Sequence, residues 1–90
     1  MFTEEEKEIV RHNILQLSEV LKKYGLKERV FHELGITRKA YFSMIIRRQN
    51  LGKIRTKRLC ERFNIDYDTF ISKKLKTKVK YIINVEFEDN

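Results

Sequence analysis

The sequence predicts a mainly α-helical domain of five helices followed by a C-terminal β-strand. Three observations carry that expectation. Apolar residues recur at spacings of three and four as far as Leu75, the repeat that places them on one face of a helix. Glycines at positions 25, 35 and 52 punctuate this pattern. From about residue 78 the period changes to two, as in a strand with one apolar face. Ninety residues make one domain. It divides into a helical unit over 1–76 and a terminal strand over 77–90.

The first helix opens on Thr3 and Glu6, which have the spacing of a capping box, with Glu4 and Glu5 suited to the positive end of the helix dipole. Val10, Ile14, Leu17, Leu21 and Tyr24 then form one apolar stripe, widened by Ile9 and Val20, that ends at Gly25. Such a seam suits a core-facing helix; the alternative use is a coiled coil.

The second helix is expected over about Lys27 to Leu34, with Val30, Phe31 and Leu34 facing inward. Gly35 breaks it, because glycine adopts the left-handed conformation at a helix end without penalty. Ile36 returns to the core and Thr37 caps a third helix. That helix turns Tyr41, Met44 and Ile45 inward and leaves Arg38, Lys39, Phe42, Ser43 and Arg47 outside. A helix, a glycine turn and a basic helix together make a helix-turn-helix, an arrangement that presents one helix to a DNA groove.

Gln49 to Gly52 reads as a loop. Lys53, Arg55, Lys57 and Arg58 crowd the start of the fourth helix, where cations oppose the dipole. Local stability does not account for them; phosphate binding does. Leu59 and Phe63 face the core, with Ile54 near the helix start, and Cys60 reads as a small buried thiol. Asp66 caps a fifth helix whose apolar positions are Tyr67, Phe70, Ile71 and Leu75, and Lys73 to Lys80 reads as its solvated basic end. In the tail, Val79, Tyr81, Ile83, Val85 and Phe87 alternate with more polar residues. No other stretch offers this strand a partner, and a lone strand leaves its backbone groups unpaired. Pairing with a second copy of the chain answers that, so these five residues are the expected dimerisation surface.

Charge sharpens the functional expectation. The chain carries 20 basic and 13 acidic residues, a net +7. Between Arg38 and Arg62 there are nine basic residues and one acid, a local +8, so the remainder sums to −1. The excess lies on the third and fourth helices, the footprint of a surface that binds a polyanion; the alternative is a solvated basic face.

Leu34-Gly35-Ile36-Thr37-Arg38-Lys39-Ala40-Tyr41-Phe42-Ser43-Met44 resembles the Leu-Gly-Val-Ser-Arg-x-x-Ile-x-x-Ile run of the phage repressor and Cro-like (XRE-type) helix-turn-helix family. Leu59-Cys60-Glu61-Arg62-Phe63-Asn64-Ile65 is similar to that family's downstream Leu-Ala-x-x-Leu-Gly-Val. The resemblance spans roughly residues 10 to 71. It departs at Phe31, where the family usually has a small residue. What it implies is a repressor-like helix-turn-helix fold and a sequence-specific transcriptional regulator of phage or mobile-element type, bound as a dimer in the major groove of double-stranded DNA. Arg38, Lys39, Phe42 and Ser43 then match base-reading positions, and Thr37, Arg47, Gln49, Lys53, Arg55 and Lys57 are the backbone candidates. Some Cro-like proteins dimerise through a C-terminal strand.

Against catalysis, neither His12 nor His32 has a nucleophile or paired carboxylate near it in sequence. One cysteine and two histidines make no metal-ligand spacing, so no cofactor or metal is expected. No apolar run reaches the roughly 20 residues of a membrane span, and the acidic N-terminus lacks the layout of a signal peptide. A cytoplasmic protein without a small-molecule ligand is expected. The alternative function is a protein–protein interaction module on the same fold that holds another regulator or an enzyme; Phe31 and the apolar edge of the tail favour it.

Overall fold

The computed structural model describes residues 2–23, 25, 32, 34–47, 51–76 and 87–88. These are mainly helical. In chain order they form α1 (Glu4–Lys23), α2 (Arg38–Ile46), α3 (Lys53–Arg62) and α4 (Tyr67–Ser72). The helix expected over 27–34, including Val30 and Phe31, falls outside the described residues except for His32 and Leu34, which are both helical. Tyr24 and the Ile45 side chain also fall outside them.

Each described helix begins where local chemistry says it should. Glu6 N–H donates to Thr3 Oγ1 at 3.1 Å, and Thr3 N–H donates back to Glu6 Oε1 at 2.8 Å. This is the reciprocal pair of a capping box. The backbone bond from Thr3 is the main reason the Glu6 carboxyl is held below its ordinary 4.5. Thr37 Oγ1 accepts from Ala40 N–H at 3.0 Å at the start of α2. Asp66 Oδ2 accepts from both the Thr69 hydroxyl and the Thr69 amide at the start of α4, which holds that carboxyl below 3.8.

Helix ends follow backbone handedness. Gly35 has φ +72 and its N–H donates to His32 O, which turns the chain toward α2. After α3, Asn64 takes φ 54, Ile65 N–H reaches back to Cys60 O at 2.8 Å, and Asn64 N–H to Glu61 O. That pair of bonds is a Schellman motif with asparagine in the left-handed position.

The stripe of α1 is the spine of the core. Val10, Ile14, Leu17, Val20 and Leu21 are buried, and Leu34, Tyr41, Met44, Leu51, Leu59, Cys60, Ile65, Phe70 and Leu75 join them in one cluster. Phe2 is buried in the same cluster, while Ile36, Phe63, Tyr67 and Ile71 pack on it half-buried. α1 and α3 both pack against α4. Burying Phe70 alone contributes about 1.5–3 kcal/mol.

Two expectations are corrected. Ile54 is 71% exposed rather than near the core. Thr56, Leu59 and Cys60 form the inward face of α3. At about 100° per residue, Ile54 lies nearly opposite Thr56. The last helix also ends at Ser72, three residues before Leu75.

The reason for that early end is Asn13, which is fully buried on α1. Its amide nitrogen donates to Phe70 O at 2.8 Å and Lys73 O at 2.9 Å, and its Oδ1 accepts from Leu75 N–H at 2.8 Å. The Leu75 amide, which a continuing helix would spend on residue 71, is taken by α1 instead. His12 Nε2 lies 3.0 Å from Leu75 O. A carbonyl only accepts, so this nitrogen carries the proton.

Leu75 also forms an antiparallel bridge to Phe87, and Glu88 N–H donates to Lys74 O at 2.7 Å. The tail was expected to find no partner within its own chain, yet at Phe87 it has one. Phe87 packs half-buried on the core of its own chain, so part of its surface is already used there. Val79, Tyr81, Ile83 and Val85 lie outside the described residues.

Candidate nucleic-acid interface

α2 turns Tyr41 and Met44 to the core but leaves Phe42 and Ile46 exposed. Burial of the first two fixes the rotation of the helix on the core. Arg38, Lys39, Phe42 and Arg47 are then exposed and Ser43 half-exposed. Arg38 is not loose: its guanidinium lies 5.5 Å from the Phe42 ring centroid, one turn further on. A cation over an aromatic face is attracted by about 0.5–1 kcal/mol at an exposed site. Phe42 meets Tyr41 edge to face at 5.8 Å. Sequence spacing alone assigns Arg38 and Phe42 separate roles; the structure joins them as a unit.

Thr37, Lys39, Ala40, Ser43, Leu51, Gly52 and Arg55 line one open depression between the N-terminal half of α2 and the start of α3. Two helix N-termini therefore flank a single concave surface. α3 has Gly52 at its cap with no side-chain bond, so its first-turn amides have no side-chain cap. Helix N-termini carry partial positive charge and orient free amides toward an anion. Neither α2 nor α3 has an acidic residue in its first turn to neutralise that charge.

Three ion pairs lie on α1: Lys7–Glu4, Arg11–Glu8 and Lys22–Glu19, at 3.0, 3.9 and 3.3 Å. Among the described residues no carboxylate pairs with Arg55, Lys57 or Arg58.

The structure thus brings Thr37, Lys39, Ser43 and Arg55 together, with Arg38 and Phe42 beside them on α2. Lys57 is exposed on α3 but does not line the depression. Gln49 lies outside the described residues. Lys53 has a second employment, since its ammonium lies 5.7 Å from the centroid of the buried Phe2 ring and its charge also lowers the Glu6 pKa. A cation at the start of α3 is in this one case explained by packing against the N-terminal segment.

Arg58, expected from sequence among the phosphate-binding cations, and Arg62, not assigned from sequence, also border the turn. Arg58 and Arg62 line a second cleft with Arg55, Leu34, Gly35 and Leu59. Their spacing from Arg55, three and seven residues, places all three on one face of α3; that spacing was the available signal.

Three large apolar side chains stand out on the same two helices: Phe42 at 39%, Ile54 at 71% and Ile46 at 74% exposure. Cys60 is buried within α3, and burial, with Asp66 and Glu61 nearby, pushes its thiol up to about 12. It has no reactive character. Among the described residues no helix is long and apolar enough to cross a membrane.

No family model, no curated protein and no solved structure matches the chain.

Proposed function

We propose that this chain is a sequence-specific double-stranded DNA-binding transcriptional regulator of the repressor-like helix-turn-helix type, acting in the cytoplasm as a dimer. The observation that carries the reading is the depression shared by the starts of α2 and α3, lined by Lys39, Ser43 and Arg55 and free of first-turn acids. The finer architecture belongs to the same proposal: a helix over about 27–34 completing the helix-turn-helix, and a strand over about 78–87 that pairs with its symmetry mate. In this reading α2 enters the major groove. Arg38 and Lys39 donate to guanine acceptors, Ser43 serves a base edge of either sense, and Phe42 meets a thymine methyl. Thr37, Arg47, Gln49, Arg55 and Lys57 hold phosphates, which supply affinity but no sequence information. Lys53 contributes charge while packed on Phe2.

Selection of bound sites from random duplex DNA tests the proposal, followed by alanine variants on the selected site. Arg38→Ala and Lys39→Ala should each cost about 1–3 kcal/mol and relax preference at one base position. A loss equal on all sequences would move that residue to the phosphates.

The exposed Ile46 and Ile54 favour a second reading, a protein–protein interaction module on the same fold. Salt separates the two. A DNA binder loses affinity steeply between 50 and 200 mM salt; an interaction module binds duplex weakly at every salt concentration.

A further inference from the structure

The cleft beside the helix-turn-helix glycine is only partly used by the contacts assigned so far. Arg55, Arg58 and Arg62 line it from one face of α3, and Leu34 and Gly35 close its other side. Arg55 also lines the depression at the start of α2, so one guanidinium belongs to both concavities. Arg55 and Arg58 are like charges three residues apart on one helix face, an arrangement that disfavours the helix, and no fold contact among the described residues neutralises either. α1, by contrast, pairs three of its cations with its own acids. A guanidinium offers a planar fork of donors that fits a phosphate with two bonds. From Arg55 to Arg62 the helix advances about 10 Å. A duplex carries one phosphate per strand about every 3.4 Å of its axis, so an array of that length faces more than one.

We infer that the Arg55–Arg58–Arg62 face of α3 is a second DNA-backbone track, continuous through Arg55 with the recognition surface, which carries phosphates past the Gly35 turn. It rests on the DNA-binding reading and carries the phosphate contacts expected of Arg55 and Arg58 along the helix to Arg62. The track reads no bases. It adds charge-dependent affinity, and it sets how far along the duplex the protein's footprint reaches.

The test is the salt dependence of duplex binding by the full chain, measured by fluorescence anisotropy on one selected and one random sequence. Each phosphate contact contributes about 0.9 to the slope of log K against log salt. The double variant R58Q/R62Q should therefore flatten the slope by about two on both sequences and leave the ratio of the two affinities unchanged. R58K/R62K keeps the charge and should keep most of the slope, which separates lost contacts from a damaged fold. An unchanged slope in R58Q/R62Q, while Lys39→Ala still weakens the selected site, overturns the track and leaves the DNA-binding reading standing. Failure of the parent chain to bind either duplex overturns both. Poly-L-glutamate is the competing probe. If it binds the parent chain as tightly as duplex and loses that binding in R58Q/R62Q, the cleft takes an acidic polypeptide and the DNA assignment is wrong.

Discussion

Asn13 replaces three backbone contacts that the end of α4 would otherwise make with itself or with water. Its amide and carbonyl serve Phe70, Lys73 and Leu75 from within the core. Asn13→Ala leaves one amide and two carbonyls short of a partner in or near the core, and should cost about 2–4 kcal/mol in urea denaturation. Asn13→Leu restores the volume but not the bonds and should be destabilised as well; a Leu variant as stable as the parent would show that shape alone matters there. Cys60 gives a pH signature. In the folded chain the thiol keeps its proton up to about 12, whereas an unfolded thiol releases it near 9.0. The Cys60 contribution is therefore complete below pH 9 and is lost as pH rises toward 12. The stability gap between the parent and Cys60→Ala should narrow over that interval. Iodoacetamide should modify the native thiol far more slowly than the unfolded one.

At the level of elements, the turn before α2 rests on one backbone angle. Nothing lies within 4 Å of a Cβ built on Gly35, yet its φ is +72. Gly35→Ala should cost about 1–2 kcal/mol through conformation alone, and Gly35→Asn less, because asparagine tolerates the left-handed region. Thermal unfolding of the two variants checks the order. Asn64 already makes this substitution naturally, at the position where the resembled pattern has glycine. The beginnings of α1, α2 and α4 were legible because a cap is read from residues three apart: Thr3 with Glu6, Thr37 with Ala40, Asp66 with Thr69. The end of α4 was not. Leu75 continues the apolar spacing, and the side chain that stops the helix stands 62 residues earlier. Ile54 misled for a related reason: only the angular position of Thr56, a buried polar residue whose hydroxyl bonds back to Gly52 O, reveals which way α3 faces. On the interface, charge pointed to Arg55 and the resemblance to Lys39 and Ser43, and the structure sets these three around one depression; sequence does not show that Arg38 leans on Phe42 or that Lys53 covers Phe2.

For the molecule as a whole, the proposed dimer requires a contact between two copies. The strand over about 78–87 remains the proposed contact, with Phe87 divided between that role and its own core. Two experiments separate these contributions. Truncation after Lys76 should convert a dimer into a monomer by sedimentation and weaken DNA binding markedly. Phe87→Ala in the full chain should lower stability by about 1–2 kcal/mol and leave the dimer in place. A full chain that is monomeric at tens of micromolar removes the strand from the interface and leaves the long α1 as the next candidate.

The Asn13 contacts also impose an order in time. A ribosome releases the chain N-terminus first, at about 5–20 residues per second, so roughly 3 to 12 seconds separate the emergence of residue 13 from that of residue 75. Throughout that interval Asn13 lacks its full set of native partners. Any early collapse of the α1 stripe onto whatever apolar surface has emerged must bury an amide short of those bonds, a penalty of about 1–3 kcal/mol. The asparagine is therefore expected to oppose premature packing of α1. A nascent chain stalled before residue 70 should remain open and protease-sensitive, and completion of the core should coincide with arrival of the segment that carries Phe70, Lys73 and Leu75.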